Sequence, residues 1–526
     1  MKRNVKRLLA ALLLGTTILT SACGSAGAGA GESQGAQSEA TASETAQAAA
    51  DTEGKTLHPC RIVQPGNLPA DYDKVIAEVN RRLLEDGYDI EVEVIRFPWD
   101  VYSEKLNLWL SSGEKFELLH VMQDVKNLSS IAKMGAIVPI DEYLDKYPDL
   151  KDRFRDVEWK AGELGGEHYA VPCTWRMGPF GADGGLSVRE DVFEAMDREF
   201  PQTKEEMLDL FGDMQQIMLE ETGIKAYHWQ HSLAAQPSWL HRTYDTYPFY
   251  VETSLGLVMV RQDGTVDSFY ESEEFENDAK FYKELYDNGF IYPDILSTNY
   301  ERKYDDMYLG AWLPSETFTH AYESTLRKNI PEASIKYYFM GEDKPHFSYQ
   351  YTQNLNAVSS TAEDPESGIK FLDWLYKSQE NYELFHFGFE GEHWHAIGDD
   401  RYEYVLGDDG NPLYAMDEWM TGYKPYMRFE SGISDDGVEY NKNDFEDVVM
   451  SPVTGFVFDA SNVTSELSSL ETEIIASIYP IKYGVVSYDD NIDAAIANLK
   501  AAGLDKYLEE YRTQLAAFIA ENGGAE

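Results

Sequence analysis

Between Leu57 and Val94 the spacing of apolar residues changes twice, and that change narrows the folds open to this chain more than any other feature. Leu57 to Val63 reads as a strand that ends in Gln64-Pro65-Gly66-Asn67. Ala70 to Asp86 then carries Val75, Val79 and Leu83 at helical spacing, and Gly87 stops the helix. Ile90, Val92 and Val94 alternate with Glu91 and Glu93, the period-two pattern of a half-buried strand. Two strands joined through a helix run parallel, because a tight hairpin can only join antiparallel ones.

The pattern repeats. Val101 to Leu110 reads as a helix, Phe116 to Val121 as a buried strand, and Val125 to Met134 as a helix ended by Gly135. Gly166 to Pro172 is a short hairpin or strand, and Leu186 to Arg189 opens a new unit with a helix over 191–198. Helices are clearest over 205–221 and 273–288; Ser334 to Phe339 and the helix Ser367 to Lys377 read as a return to the first sheet. Arg401 to Leu413 has a hairpin pattern around Gly407-Asp408-Asp409-Gly410. From Val463 to Ala520 the chain is helical, with Asp490 as an expected cap, Ile492, Ala495, Ile496 and Leu499 on one face, and a break at Gly503. Alternating strands and helices make this an α/β chain with parallel sheets.

The first 56 residues belong to none of this. Lys2, Arg3, Lys6 and Arg7 precede an apolar stretch, Leu8 to Leu19, too short to span a bilayer, and Ser21-Ala22-Cys23-Gly24 closes it. This reads as a lipoprotein signal peptide over 1–22, with Cys23 the lipidated residue; Thr20 departs from the aliphatic residue usual three places before the cysteine. Residues 23–56 are a linker, almost all Gly, Ala, Ser, Glu, Gln and Thr from Ser25 to Glu53. Such a composition cannot bury enough apolar surface to order itself, and as a coil it spans roughly 30 Å. The expected location is therefore the outer face of a cell membrane, on a lipid anchor.

A formal net charge of −49 excludes a nucleic-acid partner and repels anionic lipid. Cys60 and Cys173 are the only cysteines besides Cys23 and carry no framework signal, so whether they pair is open. Catalytic and metal signatures are lacking. Glu392-His393-Trp394-His395 does not place two imidazoles on one helical face, there is no phosphate-cradling glycine loop, and Asp408-Asp409-Gly410 and Asp435-Asp436-Gly437 read as turns. No cofactor, no metal and no catalytic residue is expected. The 93 acidic residues would supply carboxylate pairs by chance, so abundance is no sign of hydrolysis.

Aromatics are the informative class: 10 Trp and 35 Tyr, several in polar contexts. Trp99 follows Phe97-Pro98, Trp175 lies in Cys173-Thr174-Trp175-Arg176, Trp312 follows Gly310, and Trp394 follows Gly391-Glu392-His393. A sugar ring has an apolar C–H face and a rim of hydroxyls, which flat aromatic surfaces flanked by polar side chains match.

The order of segments resembles the extracellular solute-binding proteins that feed ABC importers, specifically the lipoprotein relatives of family 1, the maltose-type oligosaccharide binders. The resemblance covers about residues 57 to 522. It rests on the Cys23 leader, the Leu57 to Gly66 strand and loop, Gly135-Ala136-Ile137-Val138-Pro139-Ile140-Asp141, His168-Tyr169-Ala170-Val171-Pro172, Leu186-Ser187-Val188-Arg189-Glu190-Asp191 and Pro201-Gln202-Thr203-Lys204-Glu205-Glu206-Met207. Gly455-Phe456-Val457-Phe458-Asp459 and the stretch from Leu499 to Tyr507 resemble a C-terminal domain of unknown function found in one lipoprotein branch. The resemblance implies a type II periplasmic-binding-protein-like fold: two α/β lobes, a hinge and an interlobe ligand cleft. The implied lobes are 57–173 plus about 314–378, and 174–313 plus about 379–526, the latter including the helical region about 451–526. Crossings are implied after Tyr169 to Pro172 and around Met307 to Leu313.

These expectations combine into a membrane-anchored receptor that catalyses nothing. It captures a sugar, an oligosaccharide above all, and acts as a monomer. Trp99, Trp175, Trp312 and Trp394 would stack on sugar rings; Asn67, Gln123, Asp124 and Arg176 would bond hydroxyls. Family resemblance implies two permease subunits and an ATPase as partners. The alternatives are a surface glycoside-processing enzyme, or the same fold binding a peptide, nucleoside or polyamine.

Overall fold

The computed structural model describes residues 56–123, 126–175, 184–229, 233–297, 300–316, 323–408, 410–442 and 448–522. The expected signal peptide, Cys23, nearly all of the linker, Asp124 and Arg176 lie outside them. Among the described residues no helix is long and apolar enough to cross a membrane.

Three parallel strands, Ile90–Phe97, His58–Pro65 and Leu118–Met122, lie side by side in that order, as the opening pattern predicts. Asn354–Val358 joins them antiparallel, and Ala170–Pro172 completes the sheet. The helices follow the residues that would make them. Tyr72–Glu85 buries Val75, Val79 and Leu83 on one side, and Trp99–Ser112 begins just after Pro98 and ends at Gly113 in the left-handed region, φ 74°. Asn127 caps Leu128–Lys133 by accepting from the Ser130 N–H, so that helix is shorter than the 125–134 expected. Apolar side chains fill both faces of the sheet: Ile62, Leu118, Val92 and Val358 on one, Val63, Leu119 and Ala357 on the other.

A second core is built around other strands. Gly185–Arg189 pairs antiparallel with Ile335–Phe339, and Phe249–Val251, Val258–Arg261 and Val266–Ser268 form an antiparallel meander. Of the parallel pairing expected, the described residues here show an isolated bridge between His228 and Ile291 and the short pair His346–Ser348 with Val448–Met450. Lys204–Thr222 and Glu273–Asp287 are the two long helices expected, the first closed by a capping box in which Thr203 and Glu206 bond reciprocally. The C-terminal helices Thr464–Glu473, Tyr488–Ala502 and Leu504–Asn522 pack into this same core through Leu470, Leu499, Leu508 and Leu515. Gly503, φ 110°, breaks the last two as expected, while Ser487 rather than Asp490 takes the cap position. Lys482 is buried, and its ammonium donates to the carbonyls of Leu233, Ala234 and Ala235 at 3.0, 3.3 and 2.6 Å.

Three expectations about chain routing are corrected. Ile335–Phe339 does not return to the first sheet; the strand that does is Asn354–Val358. Met307, Ala311, Trp312 and Leu313 lie inside the second core, so no crossing runs there; the return falls between Met340 and Asn354. Residues beyond 378 stay with the first core at first: Tyr382, Leu384, Phe385, Tyr414, Met416 and Tyr423 pack on it with Pro365–Lys377, the chain then meets elements of the second where Ser434 bonds Glu323 and Tyr440 stacks on Tyr337, and from Val453 it enters that core. Apolar spacing reveals that a face is buried, and it is silent on which sheet buries it.

Candidate functional site

At the carboxyl ends of the parallel strands one buried face of the first sheet changes character. Ile62, Leu118 and Val358 are apolar neighbours on that face, and two residues further along the register come Gln64, His120 and Asn356, with Asn354 beyond. All four polar side chains are buried, at 1, 1, 0 and 3% exposure respectively. Open α/β sheets bind ligands beyond the carboxyl ends of their strands, so a polar patch there marks a site.

The patch is covered by the segment from Met416 to Lys424, which holds a single helical turn, Glu418–Thr421. Asn356 Nδ2 donates to the Met420 carbonyl at 3.0 Å. His386 lies between the Met416 and Thr421 carbonyls, its Nδ1 3.0 Å from one and its Nε2 3.3 Å from the other. Burial holds its imidazole down at about 4. The neutral ring has one proton, so Nδ1 donates to Met416 while the Thr421 hydroxyl, 3.4 Å away, can donate to Nε2. Tyr382 donates its hydroxyl to Glu418 at 2.8 Å, and burial pushes the Glu418 carboxyl up to about 8.

Trp419 is half-buried in this segment. It stacks on Trp99, centroids 5.8 Å apart and planes 24° apart, and meets the His120 ring edge-on at 5.1 Å. Trp99 is 56% exposed, so the pair presents an aromatic surface at the end of the sheet. Both His120 ring nitrogens, Asn356 Oδ1 and Arg96 Nε have no hydrogen-bond partner among the described residues. Burial lowers the His120 imidazole to about 3, which keeps it neutral.

Arg96 forms the rim. Its Nη1 donates to the Asn67 carbonyl at 3.0 Å and lies 3.1 Å from Asp417, and its Nη2 is 3.4 Å from Gln64 Oε1. Gln123 is half-buried; its backbone N–H bonds the Gln353 carbonyl at 2.9 Å, and its side-chain Oε1 accepts from the Leu128 N–H at 3.0 Å. Trp175 is half-buried against Gly422, where a Cβ would stand 2.8 Å from the Trp175 Cβ.

Of the residues singled out from sequence, Asn67, Trp99, Gln123 and Trp175 are thus gathered at one end of the first sheet. Trp312 is not. It is 1% exposed in the second core and donates its indole N–H to the Ser187 carbonyl at 3.3 Å, so it offers no face to a ligand. Trp394 is 2% exposed, packed on Phe387 with the Arg428 guanidinium 5.2 Å above its ring, and it too is core. Sequence reasoning missed Trp419, Arg96 and His120. The available signal was a polar residue at an inward position of each strand: Gln64 after Ile62, and His120 after Leu118.

Asp71, Glu392 and His393 come close enough together to suggest a metal site, with Asp71 3.2 Å from His393 Nε2. The Phe389 N–H donates to His393 Nδ1 at 2.9 Å, so the proton of the neutral ring sits on Nε2, which donates to Asp71. Nε2 has no free lone pair for a metal, and Glu392 is already paired with Lys74. Cys60 and Cys173 are both buried free thiols.

A family model described as "Bacterial extracellular solute-binding protein" matches residues 77–387. The chain belongs to this family. A second model, a domain of unknown function (DUF3502), matches residues 452–520 of the solute-binding protein, the helical region embedded in the second core. A carbohydrate ABC transporter substrate-binding protein of Streptococcus pneumoniae is 23% identical over 495 residues, covering 90% of this chain and 92% of that one. The crystal structure of an N-glycan transport solute binding protein from Streptococcus pneumoniae superposes with a TM-score of 0.71 at 20% identity, covering 88% of this chain and 99% of the other. An extracellular solute-binding protein from Bifidobacterium longum subsp. infantis gives 0.56 at 14% identity, with 88 and 99% covered. These neighbours share the type II periplasmic-binding-protein-like fold.

Proposed function

We propose that this solute-binding protein is the sugar receptor of an ABC importer, held at the outer face of the membrane by a lipid on Cys23, and that its ligand is a neutral oligosaccharide. The observation that carries this reading is the Trp99–Trp419 pair, an exposed aromatic surface beside Asn67, Gln64 and Arg96 at the carboxyl ends of the sheet. Aromatic faces take the C–H side of a sugar ring, and amide and guanidinium groups take its hydroxyls. The likeness to a carbohydrate ABC transporter substrate-binding protein supports the class of ligand, and a neighbour solved in complex with Man5GlcNAc supports its size. Asn67, Trp99, Gln123 and Trp175 remain the proposed contacts, joined by Trp419. Gln123 would bond a hydroxyl through its Nε2 amide N–H₂, because its Oε1 is taken by the Leu128 N–H. Asp124 and Arg176 keep their proposed roles from their neighbours Gln123 and Trp175.

Titration of intrinsic tryptophan fluorescence with a panel of neutral glycans, oligomannose fragments included, tests this. A saturable change is expected with at least one of them, weakened about fivefold or more in Trp99→Ala, an aromatic contact being worth about 1 kcal/mol. Release of a shortened product from any bound glycan would instead establish hydrolysis and overturn the receptor reading.

A further inference from the structure

The segment that carries Trp419 has one turn of α-helix, a single β-bridge from Tyr423 to Thr174 and the 3-10 turn that starts at Lys424, so the position of Trp419 depends on what grips its turn. The grip nearest the indole is a thiol. Cys173 Sγ donates to the carbonyl of Trp419 at 3.2 Å, with the Glu418 carbonyl further off at 3.8 Å, and accepts the N–H of Gly422 at 3.1 Å, so its proton and one lone pair are both engaged by this segment. Burial pushes that thiol well above its ordinary range, so it stays protonated and able to donate. The next residue extends the contact: the Thr174 N–H donates to the Gly422 carbonyl at 3.0 Å, and Thr174 Oγ1 accepts the Lys424 N–H at 3.1 Å. Cys173 is itself fixed, 0% exposed, with its N–H on the Asn354 carbonyl at 3.1 Å and its carbonyl accepting from the Thr352 hydroxyl at 3.0 Å.

We infer that Cys173 is a positioning residue for ligand binding: its thiol clamps the backbone on both sides of Met420 and thereby sets the height and tilt of Trp419 against Trp99. This rests on the reading of the aromatic pair as the ligand platform. Two features favour a clamp over mere packing. The thiol bonds the carbonyl of the very residue whose ring is displayed, and it bonds the segment again three residues later, bracketing the turn. Glycine at 422 is what allows the approach, since a Cβ there would lie 2.3 Å from the Glu418 carbonyl oxygen.

The test is a double-mutant cycle in the full chain, read by glycan affinity and by near-ultraviolet circular dichroism, in which two stacked indoles give a coupled signal. Trp419→Ala is expected to weaken binding and abolish the signal. Cys173→Ala is expected to weaken binding at least fivefold and diminish the signal, with no further loss when added to Trp419→Ala. Cys173→Ser, which keeps a donor and an acceptor, is expected to stay within about twofold of the parent. If Cys173→Ala fails to fold, Cys173→Val, which fills the space without bonding, takes its place. Wild-type affinity in Cys173→Ala, full additivity with Trp419→Ala, or a serine variant as weak as the alanine one overturns the clamp. Unchanged affinity in Trp419→Ala overturns the platform reading and the clamp with it, whereas loss in Trp419→Ala alone overturns only the clamp.

Discussion

Gly422→Ala probes the same corner by adding one methyl group. The backbone at Gly422 is extended, φ −74° and ψ 149°, a conformation any residue adopts, so the substitution brings no dihedral strain. The effect is steric. The new Cβ would stand 2.3 Å from the Glu418 carbonyl oxygen and 2.8 Å from the Trp175 Cβ, both far below van der Waals contact, and neither atom is the free end of a flexible side chain. The turn Glu418–Thr421 must move away from Cys173 and Trp175. Overpacking of this kind costs about 1–3 kcal/mol. Glycan affinity should fall as well, because the shift is transmitted to Trp419. The comparison is Gly212→Ala, in the middle of the helix Lys204–Thr222, where the nearest atom to a new Cβ is Phe290 Cζ at 3.7 Å. There alanine should raise stability by about 0.5–1 kcal/mol through helix propensity alone. Urea unfolding followed by fluorescence, with parallel glycan titrations, gives both numbers. A Gly422→Ala protein as stable as the parent, with parental affinity, would refute the account of how the turn is held.

The remaining expectations are independent of that corner. Trp312→Ala and Trp394→Ala should each lose about 3–5 kcal/mol of stability, as large buried aromatics do, and a folded Trp312→Phe should bind glycan as the parent does. Loss of affinity in Trp312→Phe at unchanged stability would return Trp312 to the site. Stability should also pass through a maximum in mildly acidic solution. Burial raises Glu252 from 4.5 to about 7 and Glu418 to about 8, so their contribution is full below 4.5 and is lost as pH rises through those values. Burial lowers His120 from 6.5 to about 3, and His228 and His386 to about 4, so theirs is full above 6.5 and is lost as pH falls toward those values. Thermal midpoints measured from pH 4 to 7 should therefore decline below 4.5 and again above 6.5, while above 7 the buried Lys482, lowered from 10.5 to about 7, opposes the carboxyls; a midpoint that is as high at pH 4 as at pH 6 contradicts the burial of these imidazoles, and one that rises steadily from 6.5 to 7 contradicts the burial of these carboxyls.

Much of the architecture is written in local spacing. Val75, Val79 and Leu83 require a helix with one buried side, Ile90, Val92 and Val94 require a strand, and Gly87, Gly113 and Gly503 mark ends where the backbone turns left-handed. These signals are local because backbone geometry repeats every 3.6 or 2 residues whatever lies beyond. Family membership was legible too, since an ordered series of short segments survives when each alone is weak.

Routing and the site itself were decided by contacts distant in sequence. Ile335–Phe339 and Asn354–Val358 look alike as strands, yet one pairs with Gly185–Arg189 and the other with Leu118–Met122, because pairing depends on which partner's apolar face is left uncovered. The tryptophans divide in the same way. Polar neighbours along the chain suggested exposure for Trp312 and Trp394, but their rings are closed over by residues that the fold brings in, Phe387 and Arg428 in the case of Trp394. Trp419 meets Trp99 at the end of the sheet because Cys173, Asn356 and His386, from three separate parts of the chain, bond the backbone of its segment. Periodicity tells which residues are buried or exposed on an isolated element. Only the tertiary structure decides what meets them, since that is fixed by packing between elements hundreds of residues apart.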